Sequence, residues 1–454
     1  MLGQLADLRQ LRSLSDRSLL LRVNMTVAQK VYLGQEASEA SMALKSFLTQ
    51  VVKLCVLPAV SVFLTSCGGG GGGPSGPLWV ETDVKVADID GDGRADVLTI
   101  AMRSENGQEQ GYLMLYRQTT PGTFAAPLTT VVGAYPWHMA VADINGDGAP
   151  DIVIADPTAD VTWLLLQDST NRGQFLPPQA LISGVNSYSV VIADLNNDGV
   201  PDVAIPGSTS TSRAITVRYQ NPAQRGSFGP PVIVALPAVP SQLAAGDVDG
   251  DGLTDLLAYA YTGGGSATSD PVAGLVVLFQ QADGGFVDSG VLASQVGLNS
   301  YRVAIADANG DGRPDLLAAL APWSENFTGR ILVVPQTSAR AFGPSLTTPL
   351  TGKWVLPDST FADLNQDGTP DAAVAGFWFE DINVWTGADV LLNDGTGRFA
   401  PSAHFEVPIA VGTLTAGDLD GDGRNDLVMY GDGQVMVMYQ STAPGVFLPP
   451  RLLR

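Results

Sequence analysis

Apolar residues in this chain come in short runs, not in long helical stripes. Val84-Lys-Val86-Ala87, Val97-Leu98-Thr99-Ile100, Ile152-Val153-Ile154 and Leu256-Leu257-Ala258 set the style. Runs rich in Val, Ile and Leu and bounded by Gly, Asp and Pro predict short buried strands. Their order repeats. Two runs flank an acidic stretch. A third follows, such as Gly111-Tyr-Leu-Met-Leu-Tyr116 or Ile215-Thr-Val-Arg-Tyr219, and a fourth, such as Pro231-Val-Ile-Val-Ala235, comes after a Phe. Four strands per unit are therefore expected, with a unit every 51 to 60 residues. A fixed period in this range marks an array or a propeller, and four strands is the usual content of a propeller blade.

The acidic stretch has its own pattern, D-x-[DN]-x-D-G-x-x-D, in seven copies. The first copy is Asp88, Asp90, Asp92 and Asp96; the second is Asp143, Asn145, Asp147 and Asp151; the third is Asp194, Asn196, Asp198 and Asp202. The fourth is Asp247, Asp249, Asp251 and Asp255, and the fifth is Asp307, Asn309, Asp311 and Asp315. The sixth is Asp363, Asn365, Asp367 and Asp371, and the seventh is Asp418, Asp420, Asp422 and Asp426. Oxygens at positions 1, 3 and 5 converge if the chain curls tightly, and Gly at position 6 permits the curl because it reaches positive φ. Position 7 would add its carbonyl, and the Asp at position 9 would close the shell. Such oxygen sets suit Ca²⁺, which takes six to eight oxygen ligands; up to seven ions are expected. Mg²⁺ resists dehydration and seldom uses all-protein cages. An EF-hand needs a bidentate Glu at position 12 and flanking helices. Here position 12 is Thr99, Ile154, Ile205, Ala258, Ala318, Val374 or Met429, and strands flank the loop. Metal-free acidic turns are the alternative, since Asp, Asn and Gly are common in turns.

Each unit carries a second mark, a Phe preceded in most copies by Gly: Phe124, Phe175, Phe228, Phe286, Phe342, Phe399 and Phe447. It is expected to be a core anchor wedged between neighbouring sheets. With both marks in hand, residues 81–454 resemble the FG-GAP/VCBS repeat family and the propeller of integrin α subunits. The family's Phe-Gly and Gly-Ala-Pro marks survive loosely, as Phe228-Gly229-Pro230 and Phe342-Gly343-Pro344. The resemblance implies an all-β, seven-bladed propeller of four-stranded blades, with a calcium loop between the first and second strand of each blade. Pro77-Leu-Trp79-Val80 could pair with the last blade and close the ring.

Length alone would allow two or three domains, but the repeats argue for one closed domain at 81–454. The net charge is −22, and more than half of the 46 acidic residues sit in the loops. Nucleic acid is a poor partner for such a chain, because affinity there rests on Lys and Arg at phosphates. Residues 42–66 resemble a lipoprotein signal peptide. Lys45 and Lys53 form a basic region, Leu54 to Leu64 is apolar but too short to span a membrane, and Leu64-Thr-Ser-Cys67 resembles a lipobox. Cys67 is the expected lipidation site. Residues 67–80 then hold the lipidated Cys and a Gly-rich tether. Residues 1–41 precede the signal, so the expected first residue is Met42; a genuine amphipathic extension is the alternative. The implied location is a bacterial cell envelope, at the outer membrane if the host is Gram-negative and facing the periplasm or the cell surface, with contact to the membrane only through the lipid.

Function is expected to lie on the face opposite the calcium loops, near the central channel. Trp137, His138, Tyr188, Tyr301, Arg302, Trp323 and Trp378 precede a first strand or follow a second one, and aromatics beside Arg suit glycan or protein recognition. The chain holds only two His, His138 and His404; His404 is expected to be incidental. No nucleophile elbow, HExxH or phosphate loop occurs. The expectation is a non-catalytic binding or adhesion propeller. Two alternatives stand: a carbohydrate-active enzyme such as a polysaccharide lyase, which would need little more than a base and a neutralising cation, and a purely structural envelope protein.

Overall fold

The computed structural model describes residues 78–105, 108–207, 213–261, 272–322, 328–350, 355–380 and 383–453. Every regular element among them is a strand. Seven antiparallel sheets follow one another along the chain and form the blades of a propeller. Blade 1 is Leu78–Ala87, Asp96–Glu105, Gln108–Tyr116 and Leu128–Val131. The first strands of the other blades are His138–Ala142, Val191–Ala193, Val239–Gly246, Leu298–Ala306, Val355–Ala362 and Val411–Gly417. Each first strand packs beside those of the two neighbouring blades, and the last packs beside the first, so these seven surround the axis.

The core lies between blades rather than within them. Strands such as Asp151–Asp156 and Asp202–Pro206 are buried along their whole length, because both faces of each sheet meet a neighbour. That explains their uninterrupted apolar runs, where a half-exposed strand would alternate. Each of seven apolar clusters draws on two adjacent blades, and each takes in the Phe of the later blade. Phe124 of blade 1 packs with Tyr430, Val437 and Tyr439 of blade 7. Burying such a ring contributes roughly 1.5–3 kcal/mol. The expected wedge is what these Phe residues form.

The ring closes without exchanging a strand. Leu78, Trp79 and Val80 pair with Ser104, Arg103 and Met102 of their own blade, which corrects the expected pairing with the last blade. Packing does the work instead. A Cβ on Gly417 would stand 2.8 Å from a Val86 methyl, so only glycine lets the two first strands approach this closely. Gln118 Nε2 donates to Leu419 O at 2.5 Å, and the Glu81 carboxylate accepts from Gly433 N.

Candidate functional site

The acidic loops lie between first and second strands, as the pattern requires. Position 6 has positive φ in all seven, from 80° at Gly148 to 88° at Gly368. In every loop this Gly donates to the position-1 carboxylate, at 2.9 Å from Gly93 to Asp88 and 2.7 Å from Gly312 to Asp307. The position-9 carboxylates are fully buried. One oxygen accepts the amide of position 2, as Ile89 to Asp96 at 3.0 Å. The other accepts the amide of a Gln or Asn at or just past the end of the third strand, as Gln118 to Asp96 at 2.8 Å. Position 9 therefore knits the loop to the sheet, a task that loop chemistry alone did not foretell. Burial is the largest cause of its raised pKa: Asp96, Asp151, Asp255, Asp371 and Asp426 reach about 6 and Asp202 about 7.

Three loops gather carboxylates in a way that fits a hard cation. Oxygens of Asp88, Asp90 and Asp96 lie within 4.8 Å of one another, as do those of Asp247, Asp249 and Asp251 and those of Asp418, Asp420 and Asp426. Asp90 Oδ1 and Asp420 Oδ1 are buried without a hydrogen-bond partner; a bound cation would supply one.

Each of the three convergent sets takes in three of the four pattern residues of its loop. Among the described residues, Asp92, Asp255 and Asp422 stand outside the three convergent sets. Position 5 has found other partners. Asp92, Asp311 and Asp422 pair with Arg94, Arg313 and Arg424, the position-7 residues of their own loops. Arg340 of blade 5 bridges Asp249 and Asp251 of blade 4. These cations relieve the repulsion that the crowded carboxylates would otherwise carry.

The four loops with Asn at position 3 form no set of three converging carboxylates among the described residues, because an amide replaces one of the acids. In three of them the Asn Nδ2 instead donates to the position-5 carboxylate. The distances are 3.0 Å from Asn145 to Asp147, 3.1 Å from Asn196 to Asp198 and 2.8 Å from Asn365 to Asp367. Each Asn Oδ1 accepts the position-5 amide, at 2.9 Å for Asn145 and Asn365 and 3.0 Å for Asn196 and Asn309. An amide oxygen has two lone pairs, so one remains for a cation at all four positions.

Five residues before each loop, within the first strand or just before it, stands a polar ring. Its members are Asp83, His138, Ser189, Gln242, Arg302, Asp358 and Thr413, about 16 Å from the loop at the rise of a strand. In blades 1, 4, 5, 6 and 7 the strand register shifts just before the ring residue. Such a bulge re-aims the side chain that follows it. Ring members bind the next blade. Met139 N donates to Asp83 Oδ2 at 2.9 Å, Leu243 N to Ser189 Oγ at 3.2 Å and Leu414 N to Asp358 Oδ2 at 3.3 Å. In each case the donor is the amide one residue past the ring position.

Arg302 joins four blades. Its Nε and Nη2 lie 3.1 and 3.0 Å from the two Asp358 oxygens, Nη2 is 3.1 Å from Asp83 Oδ1, and Nη1 is 2.8 Å from His138 Nε2. Lys85 Nζ donates to both Asp83 oxygens at 2.7 and 2.9 Å. Burial opposes ionisation of Asp83, but Lys85 and Arg302 overcome it and hold the carboxyl far below its ordinary range. Burial lowers Lys85, with Arg302 adding to the effect. Burial also pushes His138 down to about 3, helped by Lys85 and Arg302 and opposed by Asp83. An arginine can only donate, so His138 Nε2 is the acceptor of the Arg302 contact, while the Val190 amide also donates toward Nδ1, at 3.3 Å. Two donors thus aim at an imidazole that offers one acceptor.

Above the ring, three aromatic side chains meet. Tyr135 stacks on Trp137 with centroids 5.8 Å apart, and Trp137 meets Tyr188 edge-on at 5.4 Å. The buried carboxylate of Asp156 holds this segment by accepting from Ala134 N and Tyr135 N at 2.7 and 3.1 Å. On blade 1, Trp79 packs against Tyr112 at 5.4 Å and carries the Arg103 guanidinium over its ring at 5.5 Å.

The expected ligand-face residues divide accordingly. Trp137 and Tyr188 come together. His138 and Arg302 also meet, but inside the channel, where they are bound to each other. Tyr301 and Trp378 lie in strands, with side chains outside the described residues. Trp323 and Cys67 lie outside the described residues altogether. His404 pairs with Asp389 at 2.7 Å on an outer strand. Asp83, Lys85, Ser189 and Thr413 were missed, although a count of five residues back from each loop finds all but Lys85. The interblade Gln was missed as well. It stands at or two residues past the end of the third strand, and Gln118, Gln336, Gln440 and Asn393 reach a carbonyl of the neighbouring blade, whereas Gln167 and Gln220 reach one of their own.

Comparisons with known proteins bear on the repeats. No curated protein matches the chain. Among solved structures, an exotype rhamnogalacturonan lyase, YesX, is similar at 15% identity and TM-score 0.49, over 83% of this chain and 75% of that one. A protein assigned as a 6-phosphogluconolactonase from Bacteroides uniformis is similar at 11% identity and TM-score 0.49, over 83% of this chain and 97% of that one. Neither likeness transfers a chemistry to this chain. The FG-GAP-like repeat model matches residues 88–154, 143–205 and 363–429, and the FG-GAP repeat model matches residues 239–279. With these matches spread over a seven-bladed propeller, the chain belongs to the FG-GAP repeat family.

Proposed function

We propose that the chain is a calcium-stabilised binding propeller, tethered to a bacterial envelope through Cys67, that captures a glycan or a protein surface at its aromatic mouth. The observation that carries this reading is the Tyr135–Trp137–Tyr188 cluster beside the polar ring. Aromatic faces bury large area at little entropic cost, and Trp and Tyr dominate binding hot spots. The loops stand at the opposite ends of the first strands, so metal there braces the scaffold and leaves the mouth free. When bound, Ca²⁺ would neutralise clustered carboxylates and fix the loop. Asp88, Asp90 and Asp96 would hold it in blade 1, and Asp92 would join them if Arg94 lets go. Asp247, Asp249 and Asp251 would serve in blade 4 and Asp418, Asp420 and Asp426 in blade 7, and in the other four blades the Asn amide oxygen would take the place of the second carboxylate. The test is glycan-array and envelope-extract binding by the purified chain, with and without EDTA, against Trp137→Ala and Tyr188→Ala. A true anchor costs about 2 kcal/mol or more when truncated. Full affinity in both variants would overturn the placement.

One observation favours a second reading, polysaccharide cleavage. The imidazole of His138 is held neutral beside Arg302, and a lyase pairs a neutral base with a cation. Both groups are committed to ring contacts, which is why binding is preferred. Release of unsaturated oligosaccharides from a bound polysaccharide would reverse that preference.

A further inference from the structure

The charged cluster has two unlike sides. The side chains of Asp83 and Asp358 are 1% and 7% exposed, whereas those of Lys85, Arg302 and His138 are 24%, 20% and 16% exposed. The carboxylates stand behind and the cations in front. What lies in front is a cavity of about 280 Å³. Its polar wall is Lys85, His138, Gln242 and Arg302; its apolar wall includes Val190, Ile192, Leu243 and Val303. Among the described residues that line it, none is acidic, in a chain of net charge −22. The lining runs from the ring to the third residue past it, at Ile192 and Ala245. The cavity therefore reaches along the axis toward the metal loops, away from the aromatic mouth.

The donors are partly used. Lys85 directs two N–H groups to Asp83 and has three. Arg302 directs four N–H···acceptor contacts to Asp83, Asp358 and His138 and has five N–H groups. Among the described residues each keeps one N–H, that of Arg302 on Nη1; the two groups share Asp83 Oδ1 and both line the cavity, so the ammonium and the guanidinium stand side by side. Two neighbouring cationic N–H groups match the two oxygens of one carboxylate, and such charge-assisted bonds are the strong ones. The volume limits what can follow, since pockets for drug-sized ligands run from about 300 to 1,000 Å³.

We propose that the axial cavity binds a small organic anion, with its carboxylate against Lys85 and Arg302 and a short apolar body against Val190, Ile192, Leu243 and Val303. The site is separate from the aromatic mouth, and either can fail without the other. The probe is sodium butyrate, titrated calorimetrically into the purified, metal-loaded full chain, with acetate and butyramide as comparisons. Butyrate should bind saturably at one site per chain. Acetate, two methylenes shorter, should bind about tenfold weaker, at roughly 0.8 kcal/mol per buried methylene. Butyramide, isosteric but neutral, should bind at least tenfold weaker than butyrate. Lys85→Met should weaken butyrate at least tenfold and Lys85→Arg should restore it. Because Lys85→Met also strips a partner from Asp83, Ala140→Leu provides a second arm: it narrows the cavity without touching charge and should block butyrate by bulk. Trp137→Ala should leave butyrate binding unchanged. Equal binding of butyrate and butyramide, no saturable binding to the folded chain, or wild-type affinity in both Lys85→Met and Ala140→Leu would overturn the proposal.

Discussion

Arg302 of blade 5 reaches Asp83 of blade 1 across the axis, with Nη2 3.1 Å from Oδ1, over 219 residues of sequence. The same guanidinium holds both oxygens of Asp358 in blade 6. In a closed ring without strand exchange, this is a fastener at the hub. Removing one partner from a buried pair strands the other charge, which costs about 3–5 kcal/mol. Arg302→Met should therefore lower stability by that order in urea denaturation. Replacing both acids as well, in a triple variant with Arg302→Met, Asp83→Asn and Asp358→Asn, should recover a large part of the loss. A single variant within about 1 kcal/mol of wild type would show that the hub does not fasten the ring.

The interblade amides are a second fastener. Gln118 Nε2 donates to Leu419 O of blade 7 at 2.5 Å and to Ala95 O of its own blade at 3.1 Å. Gln167 donates only to its own blade, at Pro150 O. Leaving a buried carbonyl unsatisfied costs roughly 1–3 kcal/mol. Gln118→Leu and Gln167→Leu should both destabilise, but only Gln118→Leu should speed amide hydrogen exchange in the loop at 418–426 of the neighbouring blade. Equal exchange there in the two variants would contradict the linking role.

The loops and the Phe anchors were legible because their chemistry is local. Each loop encloses its own acids and amides within nine residues, and each Phe follows its own turn. The division of labour inside a loop was less legible. The pattern treats Asp92, Asp311 and Asp422 as ligands like the rest, yet each also has an arginine two residues on, and that pairing shows only in side-chain geometry. The hub was only half legible. His138 and Arg302 stood out as polar positions before a first strand and were read as part of the ligand face. Two things hid their true place. The bulge that turns Arg302 into the channel, between Ser300 and Arg302, leaves no mark in an apolar–polar pattern. Its partner Asp83 lies in Glu81-Thr-Asp83-Val84-Lys85, which reads as an ordinary half-exposed strand. Only ring closure brings the two together. The aromatic mouth was found in part, at Trp137 and Tyr188, because both directly precede a ring position.

Metal removal should loosen the whole ring. The clustered carboxylates of Asp88, Asp90 and Asp96 repel one another without a cation, and Asp90 Oδ1 has no other partner. Binding to the folded state alone contributes about 2.7 kcal/mol per site at a hundredfold excess over Kd. Calorimetric scans in EDTA should show a melting temperature well below that in calcium, and Asp90→Ala should reduce the measured stoichiometry by one ion. An unchanged melt on protein shown to be metal-free would defeat the calcium reading.

Cys67 should carry the lipid that tethers the propeller. The lipobox-like Leu64-Thr-Ser-Cys67 and the glycines that follow motivate this. One acyl chain holds a protein only marginally, whereas several hold it firmly. Cys67→Ser should move the chain from the membrane fraction to the soluble fraction of a bacterial host, with metabolic palmitate label lost. Continued membrane association after signal cleavage would place the anchor elsewhere.

The seam between blades 1 and 7 should respond to pH. Glu81 is buried there, 6% exposed, and accepts from Gly433 N. Burial is the main cause that raises its pKa from 4.5 to about 7, with the nearby Asp432 adding to it and the Gly433 hydrogen bond opposing. A carboxyl whose folded pKa exceeds its unfolded value binds its proton more tightly in the fold. Its contribution is complete below about pH 4.5 and is lost as pH rises through about 7. A shift of this size corresponds to a few kcal/mol at most, at about 1.4 kcal/mol per unit. Glu81→Gln keeps the acceptor for Gly433 N and abolishes the titration. In saturating calcium, the stability of Glu81→Gln relative to wild type should therefore grow steadily between about pH 4.5 and 7.5 and then level off. Urea denaturation of both chains across that range measures the difference directly. A difference that stays flat, or that shrinks with pH, would mean that Glu81 is ionised in the fold and that the Gly433 amide outweighs its burial.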